Sequence, residues 1–312
     1  MSPPSSPDAT VMDVSFGTDP LDALDLNVPG AHVQFRPHAD EDRVHIRGSV
    51  PDVEPDTAQS LIDRKGVSTH QSDRRLHVFG TPLSDTVEDW RWRLKHPTTV
   101  HLDVRLPPDT AVTAQVPGGA VDASGLTGSL DCTVMGGGSV HLKKVGGPIH
   151  VRGTGGALTV QESSGSPLDL QWSAGEVTLK HLTDASTTLQ ARAAPTTVQD
   201  THGPVDLTVH GASLALRQVD GPCDARVRGG ELTYLGAPTH ETSLTVVGRP
   251  LYTKLPPAHA AALTLTGAQV HLDETFAFTG EQTPHRIEGV LNGGGPPLRL
   301  RAVQGLAACR PQ

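Results

Sequence analysis

Residues 149–182, IHVRGTGGALTVQESSGSPLDLQWSAGEVTLKHL, hold one pattern twice. A short alternating stretch (Ile149, Val151; then Leu168, Leu170) runs into a glycine turn. A second alternating stretch follows (Leu158, Val160; then Val177, Leu179), and a further turn closes the copy. Alternation of period two gives a strand one buried face. Turns at fixed intervals need residues that tolerate positive φ, which accounts for the glycines. Each copy therefore reads as two short strands, and the distance between copies becomes the period of the fold.

The period extends in both directions. One set of turns is VPGGA (116–120), MGGGS (135–139), GTGGA (153–157), WSAGE (172–176), RAAPT (192–196), VHGAS (209–213) and VRGGE (227–231), whose ends advance by 19, 18, 19, 20, 17 and 18 residues. A second set, from LTGS (126–129) to LGAP (235–238), falls between them. Seven coils result, with six inward columns each. The first coil contributes Val112, Ala114, Val116, Val121, Ala123 and Leu126; the last contributes Cys223, Ala225, Val227, Leu232, Tyr234 and Ala237. Of these 42 positions 37 are apolar, against the 15 that a 36% hydrophobic content would place there. The column Val134, Gly153, Trp172, Ala191, Val209 places its smallest residues beside the indole, as a close-packed narrow core requires.

A coil of two short strands can neither bury its apolar side chains nor pair its backbone alone, and stacking does both. The fold class is thus all-β: a single elongated β-solenoid with two short strands per 18–19-residue coil and irregular β caps at both ends. The expected organisation is a disordered Pro- and Ser-rich tail (1–18), an N-terminal irregular β segment (19–110), the repeats (111–238) and a C-terminal irregular β segment (239–312). Within the first cap, TAQSLIDR (57–64) suggests one or two helical turns, and VEDWRWRLK (87–95) fits a strand or a short helix equally well.

HLDVRLPPDTAVTAQVPGGAVDASGLTGSL (101–130), in which an alternating strand ending in LPP leads into the repeats, resembles the bacterial putative-adhesin family, a β-strand-repeat domain of unknown function. The closing EGVLNGGGPPLRLRAVQG (288–305) is similar to that family's terminal strand pair. The resemblance implies a solenoid-like fold and a binding role. Many members carry a membrane segment or an export signal, whereas MSPPSSPDATVMDV at the N-terminus here has neither a basic nor an apolar region. Without an 18-residue apolar run, no membrane insertion is expected, and the default location is cytoplasmic.

A net charge of −9 gives no electrostatic reason to expect nucleic acid as partner. Cys132, Cys223 and Cys309 are odd in number and far apart, as suits buried thiols and not a disulfide framework. No GxSxG, HExxH, phosphate loop or complete GxGxxG occurs, and the 16 histidines form no HxH or HxxxH pair. DED (40–42) lacks calcium-loop spacing. Catalytic, cofactor and metal residues are therefore expected to be none.

The outward columns carry the remaining information. First strands display Thr113, Asp131, His150, Asp169, Thr188, Asp206 and Asp224. Second strands display a threonine ladder, Thr159, Thr178 and Thr197, edged by Lys143, Gln161, Lys180, Gln199 and Arg217. Solubilisation alone explains much of this. The sharper reading is a flat repetitive surface for an unknown protein or polymer, on a non-enzymatic scaffold of the putative-adhesin type whose oligomeric state the sequence leaves open. The runner-up is a bactofilin-like self-assembling filament former, which the long non-repeating ends disfavour. A polysaccharide-processing β-helix enzyme comes third: Asp131 and Asp169 lie two coils apart, about 9.6 Å from the strand spacing, with no residue placed to act as a raised-pKa acid.

Overall fold

The computed structural model describes residues 9–17, 21–38, 43–51, 53–80 and 99–312, and the chain forms two compact units, 1–154 and 155–312. DED (40–42) and VEDWRWRLK (87–95) lie outside the described residues. Of the 42 inward positions, 41 are buried; the exception is Ala237, which is exposed while Gly236 and Pro238 take the buried places on either side.

Unit 1 opens with β1 (Ala9–Gly17), β2 (Ala23–Asn27), β3 (Ala31–Pro37) and β4 (Arg43–Val50). Helix α1 (Pro55–Lys65), β5 (Ser68–Ser72), β6 (Arg75–Phe79) and β7 (Val100–Leu106) follow. The regular rungs are β8 (Ala111–Gln115) with β9 (Ala120–Ser124), β10 (Leu130–Val134) with β11 (Ser139–Lys143), and β12 (Ile149–Thr154). They pair in parallel and in the register the period dictates: Val112, Leu130 and Ile149 are neighbours, as are Val121 and Val140.

Three expectations are corrected here. Residues 9–17, assigned to a disordered tail, form a strand antiparallel to β4, because Val14 and Phe16 find register partners in Ile46 and Val44. The helix is longer than one or two turns. Pro55 at its start and left-handed Gly66 at its end, whose N–H donates to the Asp63 carbonyl at 3.0 Å, bound 11 residues that bury Ala58, Leu61 and Ile62. Lastly, residue 110 does not separate cap from array. Strands β2 and β3 form a rung parallel to β8 and β9 (Leu24 beside Val112, Val33 beside Val121). Their opposite edges pair in parallel with β6 and β7. The earliest rung in sequence is thus inserted between two later ones. Beyond it the sheet turns antiparallel, with β4 on β7, β1 on β4 and β5 on β6. A register shift between Thr10 and Met12 breaks the regularity of β1, one device by which sheet edges avoid further pairing.

Unit 2 comprises β13 (Ala157–Gln161), β14 (Leu168–Ser173), β15 (Glu176–Thr183), β16 (Thr187–Arg192), β17 (Thr196–His202), β18 (Val205–His210), β19 (Leu214–Asp220), β20 (Cys223–Arg228) and β21 (Leu232–Leu235). Then come β22 (Thr242–Val247), β23 (Leu251–Leu255), β24 (Ala261–Leu272), β25 (Phe278–Gln282), β26 (Arg286–Leu291) and β27 (Pro297–Pro311). Even-numbered strands from β14 to β22 pair in parallel with one another, and odd-numbered strands from β13 to β23 do likewise. Trp172 is buried, with Ala191 as its register partner and Val209 one rung further.

The array does not stop at 238. Strands β22 and β23 make another rung, and β27 alone makes the next. Its first half is parallel to β22 (Leu244 beside Leu300) and its second half to β23 (Leu251 beside Ala307). The other edge of β27 pairs with β24, on which β26 and then β25 lie antiparallel. Unit 2 therefore inserts its last strand between array and cap, as unit 1 inserts its first rung.

Coils of unit 2 also have a third, short side that the two-strand reading omitted. In β15, β17 and β19 a left-handed residue (His181, Asp200, Gln218; φ 53, 51 and 50) interrupts the strand, after which parallel pairing resumes at Leu182, Thr201 and Val219. At the opposite corner, Gly175 has φ +87, and a Cβ there would lie 1.7 Å from the Gly156 carbonyl oxygen. Gly165 has φ +72 with nothing within 4 Å. Gly165→Ala is expected to cost only the left-handed conformation, about 1–2 kcal/mol. Gly175→Ala adds a backbone clash that the rung above cannot relieve, so its unfolding midpoint should fall clearly further. Equal midpoints in a thermal melt would contradict this stacking.

Candidate functional site

Five of the second strands in unit 2 build the predicted face. Parallel in-register pairing sets Thr159, Thr178, Thr197, Ala215 and Thr233 in one column, with neighbours about 4.8 Å apart. The adjacent column is Gln161, Lys180, Gln199, Arg217 and Leu235. Buried Val, Leu and Thr alternate with these positions, so the outward orientation follows from the core. Lys143 belongs to unit 1, where it is exposed and in register with Ser124. The face there differs in character, since His32 meets Asp122 at 2.6 Å and stands edge-on to His101.

Because the array continues past 238, so do the columns. Tyr252 follows Thr233, and Lys254 and then Arg310 follow Leu235. Sequence reasoning stopped one turn too early for these residues. The signal was available, since LYTKL (251–255) stands 19 residues after LTYL (232–235). Among the described residues Lys180, Arg217 and Lys254 make no ion pair, whereas the charge of Arg310 helps hold the Asp273 carboxyl low, after its hydrogen bonds from Thr275.

Beside this column the left-handed corners open a groove of about 790 Å3, whose lining includes Gln199, Arg217, Asp220, Ala237, Thr239 and Pro256. The Thr239 hydroxyl donates to Asp220 Oδ1, while His202 Nδ1 and His240 Nδ1 lie 3.4 Å from its carboxylate oxygens. The Thr239 bond first, then the two imidazoles, hold the Asp220 carboxyl below the usual carboxylate range against its partial burial. One rung away Gln199 Nε2 donates to Asp200 Oδ2 at 3.0 Å, and His181 Nδ1 is 3.5 Å from the same oxygen. Among the described residues no group of three or more His, Cys, Asp or Glu is arranged to hold a metal ion. The three cysteines are buried free thiols, pushed up to about 12 chiefly by burial. Chemically, the face and groove offer hydroxyls, amides, separated cations and carboxylates along a regular lattice.

This is an all-β solenoid with a ladder-like polar face. Over nearly its whole length it aligns with solved structures of three bacterial proteins. One is a putative adhesin from Parabacteroides merdae, 11% identical, with 96% of this chain and 95% of that one covered and a TM-score of 0.41. Another is a putative adhesin from Bacteroides fragilis, 11% identical, with 96% of each chain covered and a TM-score of 0.31. A third is a putative cell adhesion protein from Clostridium sporogenes, 8% identical, with 96% and 99% covered and a TM-score of 0.25. No protein-family profile matches the chain, and no curated protein is significantly similar to it. Among the described residues no helix is long and apolar enough to cross a membrane.

Proposed function

We propose that this chain is a non-enzymatic binding scaffold of the adhesin type, presenting the Thr-rich, cation-edged face of its second strands to a protein or polymer partner. The observation that carries the reading is the column itself. Lys180 and Arg217 stand two rungs apart on one sheet, Gln199 lies between them, and among the described residues no acid forms an ion pair with either cation. Unpaired cations on one column of an acidic chain offer complementary charge to an acidic partner. The reading requires no cofactor and no catalytic residue.

The test replaces Lys143, Lys180 and Arg217 together by Glu. All three side chains project from the sheet, so the unfolding midpoint should stay close to wild type. A partner captured by the wild-type chain should be lost by the triple variant. Retention of that partner would place the binding surface elsewhere.

A further inference from the structure

We infer that the cation column binds a linear acidic polysaccharide that carries one anionic group on every second sugar and runs across the rungs. The inference rests on the scaffold reading and names its ligand class. From Lys180 to Lys254 the cations Lys180, Arg217 and Lys254 occupy every second rung of one column, with Gln199 and Leu235 on the rungs between; Arg310 then follows on the rung next to Lys254. Parallel strands fix that repeat at about 9.6 Å, twice the strand spacing. A pyranose chain advances by close to one strand spacing per ring, so alternate charging of the polymer matches alternate charging of the face.

The surroundings favour a sugar over other polyanions. Thr178, Thr197 and Thr233 flank the cations; Thr197 can exchange hydrogen bonds with ring hydroxyls, while Thr178 and Thr233, which donate to Glu176 and Glu231, can accept them. In the groove, the ionised Asp220 can accept from hydroxyl donors, while Ala237 and Pro256 offer apolar contact to a ring's C–H face. At about 790 Å3 the groove is within the range of roughly 300–1,000 Å3 typical of ligand sites. Single-stranded nucleic acid is usually bound on aromatic platforms, and among the described residues of the cation column and the threonine column beside it Tyr252 alone is aromatic. A duplex would meet a chain of net charge −9. Such a ligand would place the protein at a cell surface, in contrast to the cytoplasmic location expected from the sequence.

The experiment measures binding of three probes by calorimetry: hyaluronan oligosaccharides (a carboxylate on alternate sugars), oligogalacturonate (a carboxylate on every sugar) and neutral dextran. Hyaluronan should bind best, and added salt should weaken it, because exposed charge pairs are screened. Arg217→Gln with Lys254→Gln should lower hyaluronan affinity by about tenfold or more, the loss of two charge-assisted contacts. Lys254→Arg, which keeps the charge, should retain binding. Arg192→Gln with Arg228→Gln, on first strands, should leave it unchanged. The inference is overturned if hyaluronan does not bind, if dextran matches it, if oligogalacturonate exceeds it, or if the Arg217/Lys254 variant binds as wild type. A protein partner lost on the Glu triple variant without any of these sugars binding would sink the ligand class and leave the scaffold standing.

Discussion

A chain ending at Pro296 should be insoluble or associate on purification, because removing β27 opens three strand edges at once. Strand β27 is the rung between β22/β23 and β24, and it buries Leu298, Leu300, Ala302, Ala307 and Cys309. Its two buried leucines, Leu298 and Leu300, alone account for roughly 3–6 kcal/mol of burial, a large part of a net stability of about 5–15 kcal/mol. The unpaired N–H and C=O groups left on β22, β23 and β24 are templates for pairing with other chains. A synthetic peptide of residues 297–312, supplied during refolding, should restore a soluble particle by refilling the slot. If the shortened chain stays monodisperse with the wild-type unfolding midpoint, the inserted-rung topology is wrong.

The second large effect concerns the core of unit 2. Trp172→Ala should cost about 3–5 kcal/mol, the usual penalty for deleting a buried indole. Ala191→Leu should cost about 1–3 kcal/mol by overpacking, since Ala191 is fully buried and is the register neighbour of Trp172. The double variant should lose less than the sum, because the added leucine grows into the space the indole leaves. Chemical denaturation of the two singles and the double measures this coupling. Strict additivity would show that the two side chains are not neighbours.

The inward columns were legible because two periods coincide in the sequence: alternation within a strand, and a return every 18 or 19 residues. In parallel stacking, equal spacing forces equal register, so Thr159, Thr178 and Thr197 could be aligned by arithmetic. The third side of the unit 2 coils was not legible. Its corners are made by Glu162, His181, Asp200 and Gln218 in left-handed conformation, and of these residue types only Asp is a usual turn signal. The groove that depends on those corners was hidden for the same reason. The end rungs escaped because their partners are distant in sequence. Ala23 pairs with Ala111 and Thr242 with Leu298, and no period connects such positions. Arg310 was lost with them, whereas Lys254 lies 19 residues after Leu235 and was within reach of the period.

The most direct test of the in-register array, on which every surface argument here depends, is disulfide formation between introduced cysteines. Thr178 and Thr197 are register neighbours on adjacent rungs, within the roughly 4.4–6.8 Å Cα separation a disulfide spans, whereas Thr178 and Ala215 are two rungs apart at about 9.6 Å. The native thiols are buried and resist ionisation, so they should not compete. Under mild oxidation Thr178→Cys with Thr197→Cys should cross-link nearly completely within the monomer, and Thr178→Cys with Ala215→Cys should not. Cross-linking of the second pair and not the first would contradict the register, and with it the spacing of the cations on the face.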